Sequence, residues 1–201
     1  MSVSLQKGQK VDLTKGNAGL SRIMIGLGWD EAEQNPKGVL SLFKGREKKQ
    51  DIDCDASAIL CQNGKCMGKQ DVVYFGNLKH FSNAVKHMGD NLTGAGEGDD
   101  EQIMVELNSI PSQYDKIIFV VNIYKAIERK QDFGMIKNAF IRIVDTRTNI
   151  ELCKYNLSEN LDGTYAMVFG EVYKKDNEWK FNAIGQATRD GKLQELVRRF
   201  Q

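Results

Sequence analysis

DIDCDASAIL, residues 51–60, alternates Asp51, Asp53 and Asp55 with Ile52, Cys54 and Ala56, and its apolar register continues through Ala58 and Leu60. Successive side chains of a β-strand point to opposite faces, so a period of two sets the aspartates in one column and turns the apolar residues to a core. The spacing predicts a strand over 51–61. Its polar face is unusual. Aspartate is a poor strand residue, and a solvated strand face more usually carries threonine, lysine or mixed charges. Three like charges in one column call for a counter-ion.

Downstream, GDNLTGAGEGDDE (89–101) holds five carboxylates and four glycines with no basic side chain. Asp90, Glu97, Asp99, Asp100 and Glu101 repel one another when folded close together, by about 4 kcal/mol per pair at about 4 Å for an effective dielectric around 20. Asn91 and Thr93 add neutral oxygens, and the glycines free the backbone to turn its carbonyls inward. Ligands that are all oxygen favour a hard cation such as calcium, whereas magnesium demands a stricter octahedron. The segment is not an EF-hand. Counted from Asp90, positions 3, 5 and 6 are Leu92, Gly94 and Ala95, and only Asp90 and Glu101, at 1 and 12, fit that design. It is not a phosphate-binding P-loop either, since it lacks the Gly-Lys-Ser/Thr ending and would repel phosphate. Two separate carboxylate clusters that each need a counter-ion are most simply explained if a strand end and a loop share it. One or two calcium ions would satisfy both.

The remaining chain reads as all-β. Strand patterns fall at 2–6, 20–28, 71–76, 102–107, 116–124, 138–145, 149–156, 165–174 and 178–187, many of them short and bounded by turn residues. Asp176-Asn177 and Thr146-Arg147-Thr148 are hairpin turns by composition. Helical spacing is confined to 79–87, through Phe81, Ala84 and Val85, and to 191–200, through Leu193, Leu196 and Val197. No linker divides the 201 residues, which are expected to form a single domain. A chain of this length buries on the order of 70% of its unfolded surface.

Several function classes find little support. The basic run KGREKKQ (44–50) is short, lacks interleaved aromatics, and belongs to a chain of net charge +1, so no nucleic-acid partner is expected. Cys54, Cys61, Cys66 and Cys153 contain no CxxC pair, and Cys54 and Cys61 would face opposite sides of one strand, against a zinc site. No signal peptide or transmembrane run is readable, so a cytoplasmic protein with reduced thiols is expected. His80 and His87 lie just before the acidic loop without a readable catalytic partner, and His87 is expected to fix the base of that loop.

GLGWD (26–30), DIDCDAS (51–57), DVVYFGN (71–77) and GDNLTGAGEGDDE (89–101), followed by IIFVVNIY (117–124), NAFIRIVD (138–145) and AMVFGEVYKKDNEWKFNAIG (166–185), resemble the signature blocks of the TerD family of tellurium-resistance and bacterial general-stress proteins. The resemblance runs in order through essentially the whole chain. It implies a two-sheet antiparallel β-sandwich with a few short peripheral helices that binds calcium and has no established enzymatic activity. Residue by residue, it implies metal ligation by Asp53 and Asp55 on the strand. From the loop it implies Asp90, Asn91, Thr93, Glu97, Asp99, Asp100 and Glu101, with Gly94, Gly96 and Gly98 as the loop glycines. Asp30, after Trp29, matches a recurrent acidic position. The expected function is therefore a calcium-binding stress-response protein in which the ion orders the acidic loop, for structure or for binding other stress-response proteins. The alternative is a magnesium-dependent phosphohydrolase or nucleotide-binding enzyme using the same carboxylates, although no nucleotide motif accompanies them.

Overall fold

Runs rich in isoleucine, valine and phenylalanine pair into long antiparallel ribbons, because branched and aromatic side chains pack well on a pleated surface. The computed structural model describes residues 2–31, 51–89, 98–157, 159 and 161–201. Among them are strands β1 (Val3–Leu5), β2 (Lys10–Asp12), β3 (Arg22–Glu31), β4 (Cys54–Cys61), β5 (Val72–Val73) and β6 (Val85–His87). The second half adds β7 (Glu101–Glu106), β8 (Lys116–Ile123), β9 (Ile136–Asp145), β10 (Ile150–Asn156), β11 (Ala166–Lys175) and β12 (Glu178–Thr188). Two helices, α1 (Ala126–Arg129) and α2 (Leu193–Arg198), are short. No described helix is long and apolar enough to cross a membrane.

The strands form two six-stranded sheets, ordered β1-β10-β9-β3-β7-β6 and β2-β12-β11-β8-β4-β5. Neighbours are antiparallel apart from β1, which runs parallel to β10. The faces meet across one core. Ile23, Ile25 and Leu27 of β3, with Ile141 and Ile143 of β9, oppose Ala56, Ala58 and Leu60 of β4, Phe119 and Val121 of β8, and Phe169 of β11. The period of two is visible in β3, β4, β8 and β9, and in β11 it is interrupted by a bulge between Val168 and Gly170, after which the core residue is Val172. A second apolar cluster lies on the outer face of the second sheet, where Ile59, Cys61, Ile118, Val120 and Val168 are roofed by Leu196 of α2. This roof is why β4 is buried along its whole length on both faces. Cys54 accordingly faces the main core and Cys61 the roofed one.

Local chemistry explains the turns. Asp176 and Asn177 take φ of 55° and 62° between Lys175 and Glu178, the left-handed pair that joins β11 to β12 as their composition predicts. The β4 strand begins at Cys54, so Asp51 and Asp53 precede it. The helix predicted over 79–87 does not form. Instead Asn83, at φ 63°, turns the chain, and β6 pairs with β7 through Val85↔Val105 and His87↔Ile103. Burial of Ala84 and Val85 against the sheet outweighs their local helical spacing, and Phe81 of the expected apolar stripe is 62% exposed. Neither β2, an edge strand beside β12, nor α1 carries a sequence pattern long enough to predict.

A buried polar network sits behind β5. The Tyr114 hydroxyl donates to Asp71 Oδ1 at 2.6 Å, and His80 Nε2 lies 3.7 Å from the same oxygen. His80 Nδ1 lies 2.7 Å from Ser82 Oγ and 3.3 Å from Ser82 N. Burial holds His80 below the ordinary imidazole range, against the pull of Asp71.

Two outcomes follow from this packing. Phe119→Ala, at a fully buried position, is expected to cost about 3–5 kcal/mol in urea unfolding. Because the unfolded chain protonates first, the stability contributed by neutral His80 is complete above about pH 6.5 and is lost as the pH falls below it. His80→Gln should therefore flatten the decline in melting temperature between about pH 7 and pH 5, and an unchanged slope would assign that decline to other groups.

Candidate metal centre

The acidic residues are positioned by three strand ends that meet at one end of the sandwich. Asp30 and Glu31 close β3, Asp53 and Asp55 flank the start of β4, and Asp99 and Asp100 lead into Glu101 at the start of β7. Ile52 N–H donates to the Glu31 carboxylate and ties the first two together. Residues 98–100 lie across β3. Asp100 N–H donates to Leu27 C=O at 2.8 Å, and Trp29 N–H donates back to Asp100 Oδ2 at 2.8 Å. This crossing needs glycine: a Cβ on Gly26 would stand 2.3 Å from Asp99 Oδ1, and one on Gly28 would stand 2.8 Å from the Gly98 carbonyl. The glycines of GLGWD are thus places of close approach.

The carboxylates divide by task. Asp99, its side chain fully buried, accepts from Arg142 Nε at 2.7 Å and Nη2 at 2.9 Å, and from Gln102. Glu101 accepts from Ala56 N–H of β4, and His87 Nε2 lies 3.2 Å from Ala56 C=O and 3.6 Å from Glu101. Gly89 N–H donates to His87 Nδ1, so the ring proton sits on Nε2 and the same histidine anchors the first residue of the acidic segment. Asp53 lies 3.7 Å from Arg129, whose guanidinium stacks on Tyr124. Asp55 accepts from Asn122 at 3.3 Å, and Asp30 from Asn138 at 2.7 Å.

These charges also act on one another and on a buried thiol. Burial pushes the Cys54 thiol well up, and the charges of Asp55, Glu101, Asp53 and Asp100 push it further. Burial also raises Asp100, with Asp30 and Asp99 adding repulsion and the Trp29 N–H partly offsetting both. The charges of Asp53, Asp55, Asp100 and Glu101 thus all bear on one buried thiol, and that of Asp30 bears on Asp100. Asp51 is exposed at the approach to the strand. Asp90, Asn91, Thr93, Gly94, Gly96 and Glu97 lie outside the described residues, and Gly98 is exposed beside Asp99. Among the described residues no three acidic, histidine or cysteine side chains enclose an ion by themselves. The donor set is nonetheless all oxygen and net negative, which fits a hard cation and not a soft one. Arg142, Arg129 and Asn122 carried no readable signal, because their partners are distant in sequence.

A two-sheet β-sandwich with carboxylates gathered from strand ends and an acidic loop is the class this geometry defines. The chain belongs to the TerD family: the TerD domain matches residues 1–200. It is 50% identical to the stress response protein SCP2 of Bacillus subtilis over 200 residues, covering 100% of both chains. It is 42% identical to the tellurium resistance protein TerD of Serratia marcescens, covering 95% of this chain and 93% of that one. A crystal structure of a homologue of the telluride resistance protein TerD from Streptomyces coelicolor A3(2) shares the fold, with TM-score 0.65, 16% identity, and coverage of 91% of this chain and 99% of that one.

Gly26→Ala is expected to displace the Asp99 carboxylate and destabilise by about 1–3 kcal/mol in denaturant titrations. Gly16→Ala, where a Cβ meets nothing within 4 Å, is the matched control and should leave the midpoint nearly unchanged.

Proposed function

We propose that this protein is a calcium-binding module of the stress response, in which the ion joins the start of β4 to the acidic segment and orders a surface for another stress-response protein in the cytoplasm. One observation carries the reading: the acidic ends of β3, β4 and β7, drawn from two different sheets, meet at one end of the sandwich, where Ile52 N–H donates to Glu31 and Ala56 N–H donates to Glu101. Like charges so arranged destabilise the fold unless a cation joins them. Asp53, Asp55, Asp100 and Asp30 would supply the described oxygens, with Asp90, Asn91, Thr93 and Glu97 completing the set. Glu101 is engaged by the β4 backbone and Asp99 by Arg142, so both shape the site more than they fill it. Bound calcium supplies compensating charge and a flexible coordination shell. The family's general-stress and tellurium-resistance members give the setting. The reading is of a binding module, with no catalytic role assigned to the carboxylates.

Thermal melts with calcium and with chelator test it. Occupancy should stabilise the fold by about 2.7 kcal/mol at a free calcium concentration about 100 times the dissociation constant. Asp100→Asn keeps an oxygen for the Trp29 N–H yet removes a charge, so it should fold and lose most of the calorimetric heat of calcium binding. Coincident melting curves with calcium and chelator would sink the proposal.

A further inference from the structure

On the outer face of the second sheet, beside α1 and α2, runs a groove of about 1020 Å³. That is the upper end of the size of small-molecule sites, roughly 300–1,000 Å³. Its floor is polar and buried. Asp55 and Asn122 are directly opposed across β4 and β8 and are 5% and 6% exposed. The Asn122 amide nitrogen donates to Asp55 Oδ2 at 3.3 Å, which orients the carboxamide, since the reversed amide would set its oxygen against a carboxylate. Asn122 Oδ1 is thereby turned away from Asp55, buried, with no hydrogen-bond partner. A buried carbonyl oxygen in that position asks for an N–H or O–H donor.

The walls and rim supply different chemistry. Tyr74 and Phe75 on one side and Tyr124 and Ile127 on the other make the walls. Phe75, Tyr124 and Ile127 are 43%, 37% and 63% exposed, an open apolar and aromatic surface. Lys69, Lys125, Lys192 and Arg198 stand around the opening, against Glu128 as the rim carboxylate. Lys125 lies 4.0 Å from Glu128 and over the Tyr124 ring. The groove therefore offers, from floor to mouth, hydrogen-bond acceptors, flat apolar walls and positive charge.

We propose that this groove binds a nucleotide, with the donor edge of the base on Asn122 Oδ1 and the phosphates at the Lys69, Lys192 and Arg198 rim. The order of the three surfaces selects this class. A nucleobase presents exocyclic amine or ring N–H donors on a flat body that stacks on tyrosine and phenylalanine. Its phosphates are bound as point charges by lysine and as a fork by arginine. Inorganic phosphate would leave the floor acceptor unmet, and a neutral aromatic would leave the rim unmatched. The two readings share Asp55, which orients Asn122, but Asn122 and the rim cations are not among the residues proposed to hold the ion, so nucleotide binding and calcium binding can be measured apart.

Calorimetry with ADP, adenosine and inorganic phosphate, each in chelator and again in calcium, tests the groove. ADP should bind more tightly than adenosine, and phosphate alone only weakly. The double variant Lys192→Glu/Arg198→Glu, on exposed positions, should weaken ADP by about tenfold or more and leave adenosine unchanged. Asn122→Leu should weaken ADP and adenosine alike by about tenfold. If that variant fails to fold, the charge-reversal pair alone decides. The proposal is overturned if ADP does not bind in either condition, if phosphate binds as well as ADP, or if charge reversal leaves ADP affinity untouched. Calcium-independent ADP binding alongside absent calcium heat would uphold the groove and reject only the metal centre.

Discussion

The hydrogen bonds that Glu101 and His87 make to the backbone of Ala56 hold the two sheets together at the end where the acidic residues gather. β5 is two residues long and pairs only with Ala58 and Ile59, so β4 has no strand partner on that side at Ala56. A buried N–H and C=O without partners would be costly. Side chains from β6 and β7 of the opposite sheet take the place of the missing strand. The consequence is that an acceptor is needed at the start of β7 for the sandwich to close, and Glu101 supplies it as a carboxylate beside the start of β4. Structural need thus brings the acids within reach of one another before any ligand is considered.

The same logic governs Asp99. Its buried carboxylate is held by the two-pronged contact of Arg142, and it fits only because Gly26 leaves β3 bare beneath it. Removing either partner of such a pair leaves an uncompensated charge in a water-poor place. The leading edge of β7 is therefore rigid at Asp99 and Glu101, and Asp100, held between them by Trp29 and Leu27, is set in place by its neighbours.

How much of this was legible in sequence depends on the range of the interaction. The alternation in 51–60 and the long branched-chain runs at 117–124 and 166–185 specify strands locally, because a period of two survives wherever one face meets a core. The Asp176-Asn177 turn is equally local. The segment before the acidic loop has three apolar residues at helical spacing, yet the deciding force, pairing of Val85 and His87 with β7, comes from residues beyond the loop. The candidate site divides in the same way. Clustering of acids showed in composition, whereas the assignments of Asp99 to Arg142, Glu101 to Ala56 and Asp55 to Asn122 depend on contacts between distant strands that no spacing encodes.

The sheet orders place β1 and β6 at the edges of one sheet and β2 and β5 at the edges of the other. These four strands are two or three residues long, while the strands between them run from six to eleven. An exposed edge is a template on which another chain can add a strand, and a short edge offers too few successive backbone groups to hold one. Among the described residues, each of these edge strands by itself offers only two or three residues to an added strand. In a family with general-stress members, edges this short limit what an unfolding neighbour could pair with on those four strands.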